Sequence, residues 1–133
     1  MRRVFVDTSA MIAHLDADDP RRAAVDAAIA AHVADELVTH GYVVAETLAV
    51  ARRRFGVGGV QVLIDELLPL LTIVPVDAPA FRTALEELRG APSSATSFVD
   101  RLTIVVMRSA SIDTVLALDP DLAGPGITVV PTL

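Results

Sequence analysis

In the stretch Val4-Phe5-Val6-Asp7-Thr8-Ser9-Ala10, an apolar run stops at an acid, two hydroxyl residues follow, and apolar sequence resumes. Arg3–Val6 reads as a short buried strand, because β-branched and aromatic residues fit a pleated sheet. Asp, Thr and Ser are good helix N-caps, so a helix is expected to follow. Asp7 itself is open to two readings. It either caps that helix or holds a ligand where the strand ends.

Outward from this stretch, short apolar runs alternate with longer segments of helical period, which predicts an α/β fold with a parallel sheet. Asp18 and Asp19 before Pro20 read as a cap-then-proline helix start. Val25, Ile29 and Val33 then form one apolar stripe through an alanine-rich helix. Leu37–Thr39 reads as a second strand. A helix from about Tyr42 to Phe55 is expected to stop at Gly56, Gly58 and Gly59. A further helix spans roughly Val60–Leu68, with Val60, Leu63, Ile64 and Leu67 on one face. Leu71–Val76 is a third strand, and Phe81, Leu85 and Leu88 mark a helix ended by Gly90 and Pro92. After the polar link Ser93-Ser94-Ala95-Thr96-Ser97, an apolar helix runs from Phe98 to about Ser109. Thr114–Leu118 and Ile127–Val130 complete about five short strands. With no repeat or linker, residues 1–133 are expected to form one domain.

Composition narrows the function classes. The chain has 133 residues, 53% hydrophobic and 21% charged, long enough for a real core and too apolar for disorder. No apolar run approaches the ~20 residues that span a bilayer. Asp7 interrupts the apolar run after the basic start, so no signal peptide is expected. There is no Cys, hence no thiolate metal site or disulfide, which fits a cytoplasmic location. The net charge is −6 and all 11 basic residues are Arg, which excludes a uniformly basic nucleic-acid binder but leaves room for a local patch. The absence of Lys removes Schiff-base chemistry and the P-loop lysine.

Four acids stand out by their surroundings. Asp7 closes the first strand and Asp119 the fourth, where open α/β sheets bind ligands. Glu46 lies in Val43-Val44-Ala45-Glu46-Thr47-Leu48 with no Arg three or four residues away, so no local helical ion pair explains it. Asp100 occupies the first turn of a very apolar helix, where an acid also complements the helix dipole. Singly, each has a structural explanation. Together, unpaired carboxylates in apolar surroundings require a compensating cation or proton. With Lys absent, Mg²⁺ or Mn²⁺ is the natural partner.

The segments VFVDTSA, VVAETL, SFVDRLTIVVM and VLALDPDL, in this order and over essentially the whole chain, resemble a PIN domain of the VapC type, the ribonuclease toxin of a bacterial toxin–antitoxin pair. The resemblance implies a Mg²⁺-dependent endoribonuclease whose acidic quartet is Asp7, Glu46, Asp100 and Asp119. Asp7 and Asp100 would be direct metal ligands, Glu46 and Asp119 would serve a second ion or the outer shell, and Ser9 would support the site. It also implies homodimers and a small DNA-binding antitoxin that covers the site. After Asp119 this chain has Pro120-Asp121-Leu122 where the family often carries a basic or aromatic-flavoured sequence, which leaves Asp121 as a substitute for Asp119.

Arg101, Arg52 and Arg53 are the candidates for RNA phosphate contact, with Arg54 and the pair Arg21-Arg22 beside them. All read readily as solvated or helix-terminal charges, and Arg101, next to Asp100, has the better functional case by position. His14, His32 and His40 lack helical metal spacing and are expected at the surface. Gly56-Val57-Gly58-Gly59 follows a helix rather than a strand, so it reads as a helix stop and not a phosphate cradle. A receiver domain needs a late Lys, and a haloacid-dehalogenase-type phosphatase needs an acid at position 9, where Ser9 stands. The remaining alternative is a PIN-like module that binds nucleic acid or protein without cutting.

Overall fold

The computed structural model describes residues 1–93 and 95–132, so Ser94 of the polar link lies outside the described residues. Five strands, β1 (Arg3–Val6), β2 (Glu36–His40), β3 (Thr72–Val74), β4 (Thr114–Leu116) and β5 (Thr128–Val130), form one sheet in the order β3-β2-β1-β4-β5. Every pairing is parallel, with Phe5 opposite Val38 on one side and Val115 on the other. Helices α1 (Thr8–Leu15), α2 (Arg22–Ala31), α3 (Gly41–Val62), α4 (Ala78–Gly90) and α5 (Phe98–Ser109) make the crossovers. The chain winds outward from β1 through β2 to β3, then returns to place β4 on β1's other side. That reversal opens a crevice beyond the carboxyl ends of β1 and β4.

Burial explains why β1 reads as an unbroken apolar run. Val4, Phe5 and Val6 are at most 1% exposed, covered on both sheet faces. Each such side chain contributes roughly 1.5–3 kcal/mol by leaving water. Val38, Val115, Leu116 and Met11 join them in the main core, while Ala84, Leu102 and Val105 form a smaller cluster between α4 and α5. Among the described residues, no helix is long and apolar enough to cross a membrane.

Several expected boundaries shift for identifiable reasons. β3 ends at Val74 because Pro75 cannot donate to the ladder. Asp19 closes a turn by accepting from Arg21 N at 2.8 Å, so α2 begins two residues after Pro20. At its other end, α2 stops at Ala31, and a turn from His32 to Asp35 leaves Val33 75% exposed, outside the stripe formed by Val25 and Ile29. In α4 the buried position is Ala84, while Leu85 faces solvent.

The glycine segment breaks α3 without ending it. Gly56 takes φ 70°, which favours glycine, and helix resumes up to Val62 before a wide turn at Leu63–Leu67. At Gly59 an added Cβ would lie 2.5 Å from Phe55 Cβ, whereas at Gly58 it would meet nothing within 4 Å. Gly59→Ala is therefore expected to lower the melting temperature as Phe55 is displaced. Gly58→Ala should raise it, through the ~0.5–1 kcal/mol of stability that alanine gains over glycine in a helix. Thermal unfolding of the two variants checks this opposition of sign.

Candidate active site

Asp7 leaves β1 directly into the crevice and is 4% exposed. Its backbone N–H still belongs to the sheet, donating to Leu116 O at 2.9 Å. Its Oδ2 accepts from Ser9 N at 3.2 Å and from Ser9 Oγ at 2.8 Å, so the carboxylate caps α1. Ser9 Oγ in turn accepts from Leu118 N at 2.9 Å. This hydroxyl links the end of β1 to the chain beyond β4, one residue before Asp119. Capping and a place in the crevice coexist in the same carboxylate.

The other acids arrive from three directions. Asp100 sits in the first turn of α5, which Ser97 caps by accepting from Asp100 N at 3.2 Å. Asp119 follows β4 and accepts from Asp121 N at 2.9 Å, a tight turn that brings the next acid round beside it. Carboxylate oxygens of Asp100, Asp119 and Asp121 lie within 4.8 Å of one another. Glu46 projects from the second turn of α3. Its residue is exposed, yet its carboxyl faces the other acids closely enough for them to perturb it.

Electrostatics define the cluster as one unit. Burial, followed by the charges of Asp7 and Asp119, pushes Asp100 up to about 6. Partial burial, then Asp7, Asp100 and Asp119, raises Glu46. Burial raises Asp7, opposed by the Ser9 hydrogen bonds, with Asp119 adding repulsion. In each case the charges at work belong to other acids. The arrangement concentrates negative charge and hard oxygen donors at the sheet's switch point, a donor set suited to Mg²⁺ or Mn²⁺.

The structure brings Asp7, Glu46, Asp100 and Asp119 together, with Asp121 in the tightest group. The arginines divide. Arg54 pairs with Asp16 at 2.7 Å and so ties α3 to the end of α1. Arg22 joins α2 to α1 through His14 O and also meets Asp26, and Arg21 pairs with Asp19 in the turn before α2. Arg53 lies seven residues beyond Glu46, two turns along the same face or about 10 Å away. Arg101 has a buried Nε without a hydrogen-bond partner among the described residues.

The expectation of surface histidines fails at His40. It is fully buried, accepts from Val43 N to cap α3, and sets Nε2 3.0 Å from Thr103 Oγ1 on α5. Burial lowers its pKa to about 4, so it is a neutral brace between α3 and α5. Thr47, buried on the same helix, lies 2.9 Å from Thr8 Oγ1 and so joins α3 to α1. Its signal was present in the sequence, as a hydroxyl on the apolar stripe Val43-Thr47-Ala51. His40 gave no such signal, because its partner Thr103 is 63 residues away.

Residues 4–126 match the PIN domain family, and the chain belongs to it. No curated protein sequence matches the chain significantly. Among solved structures, it resembles VapC20 of Mycobacterium tuberculosis, a toxin that cleaves the sarcin–ricin loop, with a TM-score of 0.83 and 28% identity over 94% of this chain and 96% of that one. The fold is also similar to that of VapBC2 from Rickettsia felis bound to a promoter DNA fragment (TM-score 0.73, 12% identity, 96% of each chain). DNA-bound VapBC from Salmonella typhimurium gives a TM-score of 0.69 at 13% identity over 97% of each chain.

The raised Asp100 pKa has a consequence for stability. An unfolded Asp titrates near 3.9, whereas folded Asp100 keeps its proton to about 6. Between these values the folded state binds more protons, so stability falls as pH rises through this window. Asp100→Asn should therefore raise the melting temperature of metal-free protein at neutral pH by about 4 °C, the shift that ~1 kcal/mol gives in a domain of this size. The gain should shrink below about pH 6 and vanish near pH 4. Melting curves across pH measure it.

Proposed function

We propose that this protein is a metal-dependent endoribonuclease of the VapC type, the toxin of a toxin–antitoxin pair that acts in the cytoplasm. The observation that carries the reading is the convergence of Asp7, Glu46, Asp100 and Asp119 at the switch point, each of the first three perturbed by other acids rather than relieved by a cation. Carboxylates held this way are poised for a divalent ion. The likeness to a sarcin–ricin-loop-cleaving toxin supports RNA as the substrate class and makes that ribosomal hairpin the first RNA to test.

Asp7 and Asp100 would hold Mg²⁺ or Mn²⁺, with Asp119, Asp121 and Glu46 as further ligands or as acceptors for metal-bound water. Bound there, the ion lowers the pKa of water and neutralises charge on a phosphoryl group. The chain's own contribution is placement. Ser9 fixes the Asp7 carboxylate against the Leu118 amide, and Ser97 fixes the α5 turn that carries Asp100. Glu46, raised by partial burial and then by its acidic neighbours, is suited to accept a proton from attacking water on the open side of the cluster. Arg53, Arg52 and Arg101 are the candidate phosphate contacts, with Arg favoured for its bidentate geometry. A small DNA-binding antitoxin and a second copy of the chain are the expected partners.

Asp7→Asn is expected to reduce RNA cleavage at least 100-fold while preserving the fold, because the asparagine keeps the side-chain oxygen that caps α1. Saturating Mg²⁺ or Mn²⁺ should raise the wild-type melting temperature and do so far less in this variant. Cleavage of the sarcin–ricin hairpin and of total RNA, with and without chelator, provides the test. Undiminished cleavage by Asp7→Asn, or full activity in chelator, would sink the assignment. RNA binding without cleavage by wild-type protein would favour the non-catalytic module instead.

A further inference from the structure

Beside the acidic cluster the structure carries an aromatic array that the acids do not use. Tyr42 lies one helical turn before Glu46, on the same face of α3. Phe98 begins α5, two residues before Asp100. The rings of Tyr42 and Phe98 meet edge to face at 6.4 Å between centroids, and Phe81 of α4 sits 5.8 Å from Tyr42 and 5.2 Å from Phe98. Buried His40 backs Tyr42 at 6.0 Å. Neighbours thus fix the ring on three elements, yet Tyr42 stays 42% exposed.

Next to it is a cleft of about 360 Å³, lined by Tyr42, Val76, Asp77, Ala78, Phe81 and Arg82. Arg82 has no hydrogen bond or ion pair among the described residues, so its guanidinium is free for an outside anion. Asp77 is engaged in capping α4, where it accepts from Ala80 N at 2.8 Å. An immobilised ring, an apolar wall and a free Arg match the requirements of one unpaired nucleotide, its base stacked on the aromatic and its phosphate on the guanidinium. Tyr42, one turn before Glu46 on α3, and Phe98, two residues before Asp100 on α5, set where along the strand that nucleotide falls.

Resting on the ribonuclease reading, we infer that the Tyr42 cleft is a nucleobase subsite, which stacks an unpaired base close to the scissile phosphate while Arg82 holds its phosphate. The subsite makes single-stranded or looped RNA the preferred substrate form, since a base within a duplex cannot present its face.

The test uses the cleavage-deficient Asp7→Asn full-length protein in Mg²⁺ with two fluorescently labelled probes, a mixed-sequence 12-nucleotide RNA and a fully abasic oligonucleotide of equal length. Binding is followed by anisotropy. Adding Tyr42→Ala should weaken binding of the RNA about 5- to 150-fold, the range expected for one lost base stack, and leave the abasic probe unaffected. Tyr42→Phe should bind like its parent. Arg82→Gln should weaken both probes alike and lower the salt slope by about 1. A readout on the unaltered ring guards against misfolding of the alanine variant. Tyr42 is the single tyrosine and there is no Trp, so tyrosine emission reports this ring alone. Saturating RNA should quench it, after correction for absorbance, and the abasic probe should not. Equal affinity of Tyr42→Ala for RNA, or equal quenching by both probes, would overturn the subsite while leaving metal-dependent cleavage by wild-type protein intact. If wild-type protein neither binds nor cuts RNA, the ribonuclease reading falls and the subsite falls with it.

Discussion

The arrangement of the site depends on one serine hydroxyl. Ser9 Oγ donates to the Asp7 carboxylate and accepts from the Leu118 amide, spanning the point where the sheet reverses direction. Beyond Leu116 the β4 chain has left its ladder with β1, and it is held by Ala117 N donating to Val130 O on one side and by Ser9 on the other. Asp119 follows immediately. The same bond therefore orients the buried acid of β1 and sets the path that delivers the acid of β4. Replacing this hydroxyl would take the acceptor from the Leu118 amide and leave the Asp7 carboxylate with the bond from Ser9 N, so both ends of the link are lost at once.

Around this brace the fold accepts an electrostatic cost. Asp7, Glu46 and Asp100 are raised by desolvation and then by neighbouring acids, Asp119 in every case, a configuration that favours protonation or a cation over ion pairs within the chain. The rest of the molecule is arranged to bear it. β1 is covered on both faces, His40 and Thr103 tie α3 to α5, and Thr47 and Thr8 tie α3 to α1. The helices that carry Glu46 and Asp100 are thereby clamped to the strand that carries Asp7. Repulsion among the acids is resisted by packing, and a bound ion would convert it into affinity.

Much of this was legible in the sequence because the informative residues contradict their surroundings. An acid ending an apolar strand, another inside an apolar helix and a third without a helical partner can be seen without coordinates, and Ser97 before Asp100 marks α5 to the residue. Other features depend on groups far apart in the chain. His40 reads as a surface histidine until Thr103 is placed against it. Asp121 enters the acidic group only because Asp119 turns the chain through a hydrogen bond to its backbone. Val33 and Leu85 keep the helical period of their neighbours but fall outside the core, one in the turn that follows α2 and the other on the wrong side of Ala84. The aromatic array is assembled from β2's end, α3, α4 and α5, so four scattered rings carry no pattern until the helices converge.

The central claim is that these acids form a single divalent-cation site. The most direct measurement is anomalous diffraction from crystals of the wild-type protein soaked in Mn²⁺. A peak bounded by the carboxylates of Asp7, Asp100 and Asp119 or Asp121, within ~2.0–2.3 Å of at least two of them, is the predicted result. An empty crevice at saturating Mn²⁺, with the ion bound elsewhere on the same molecule, would contradict it.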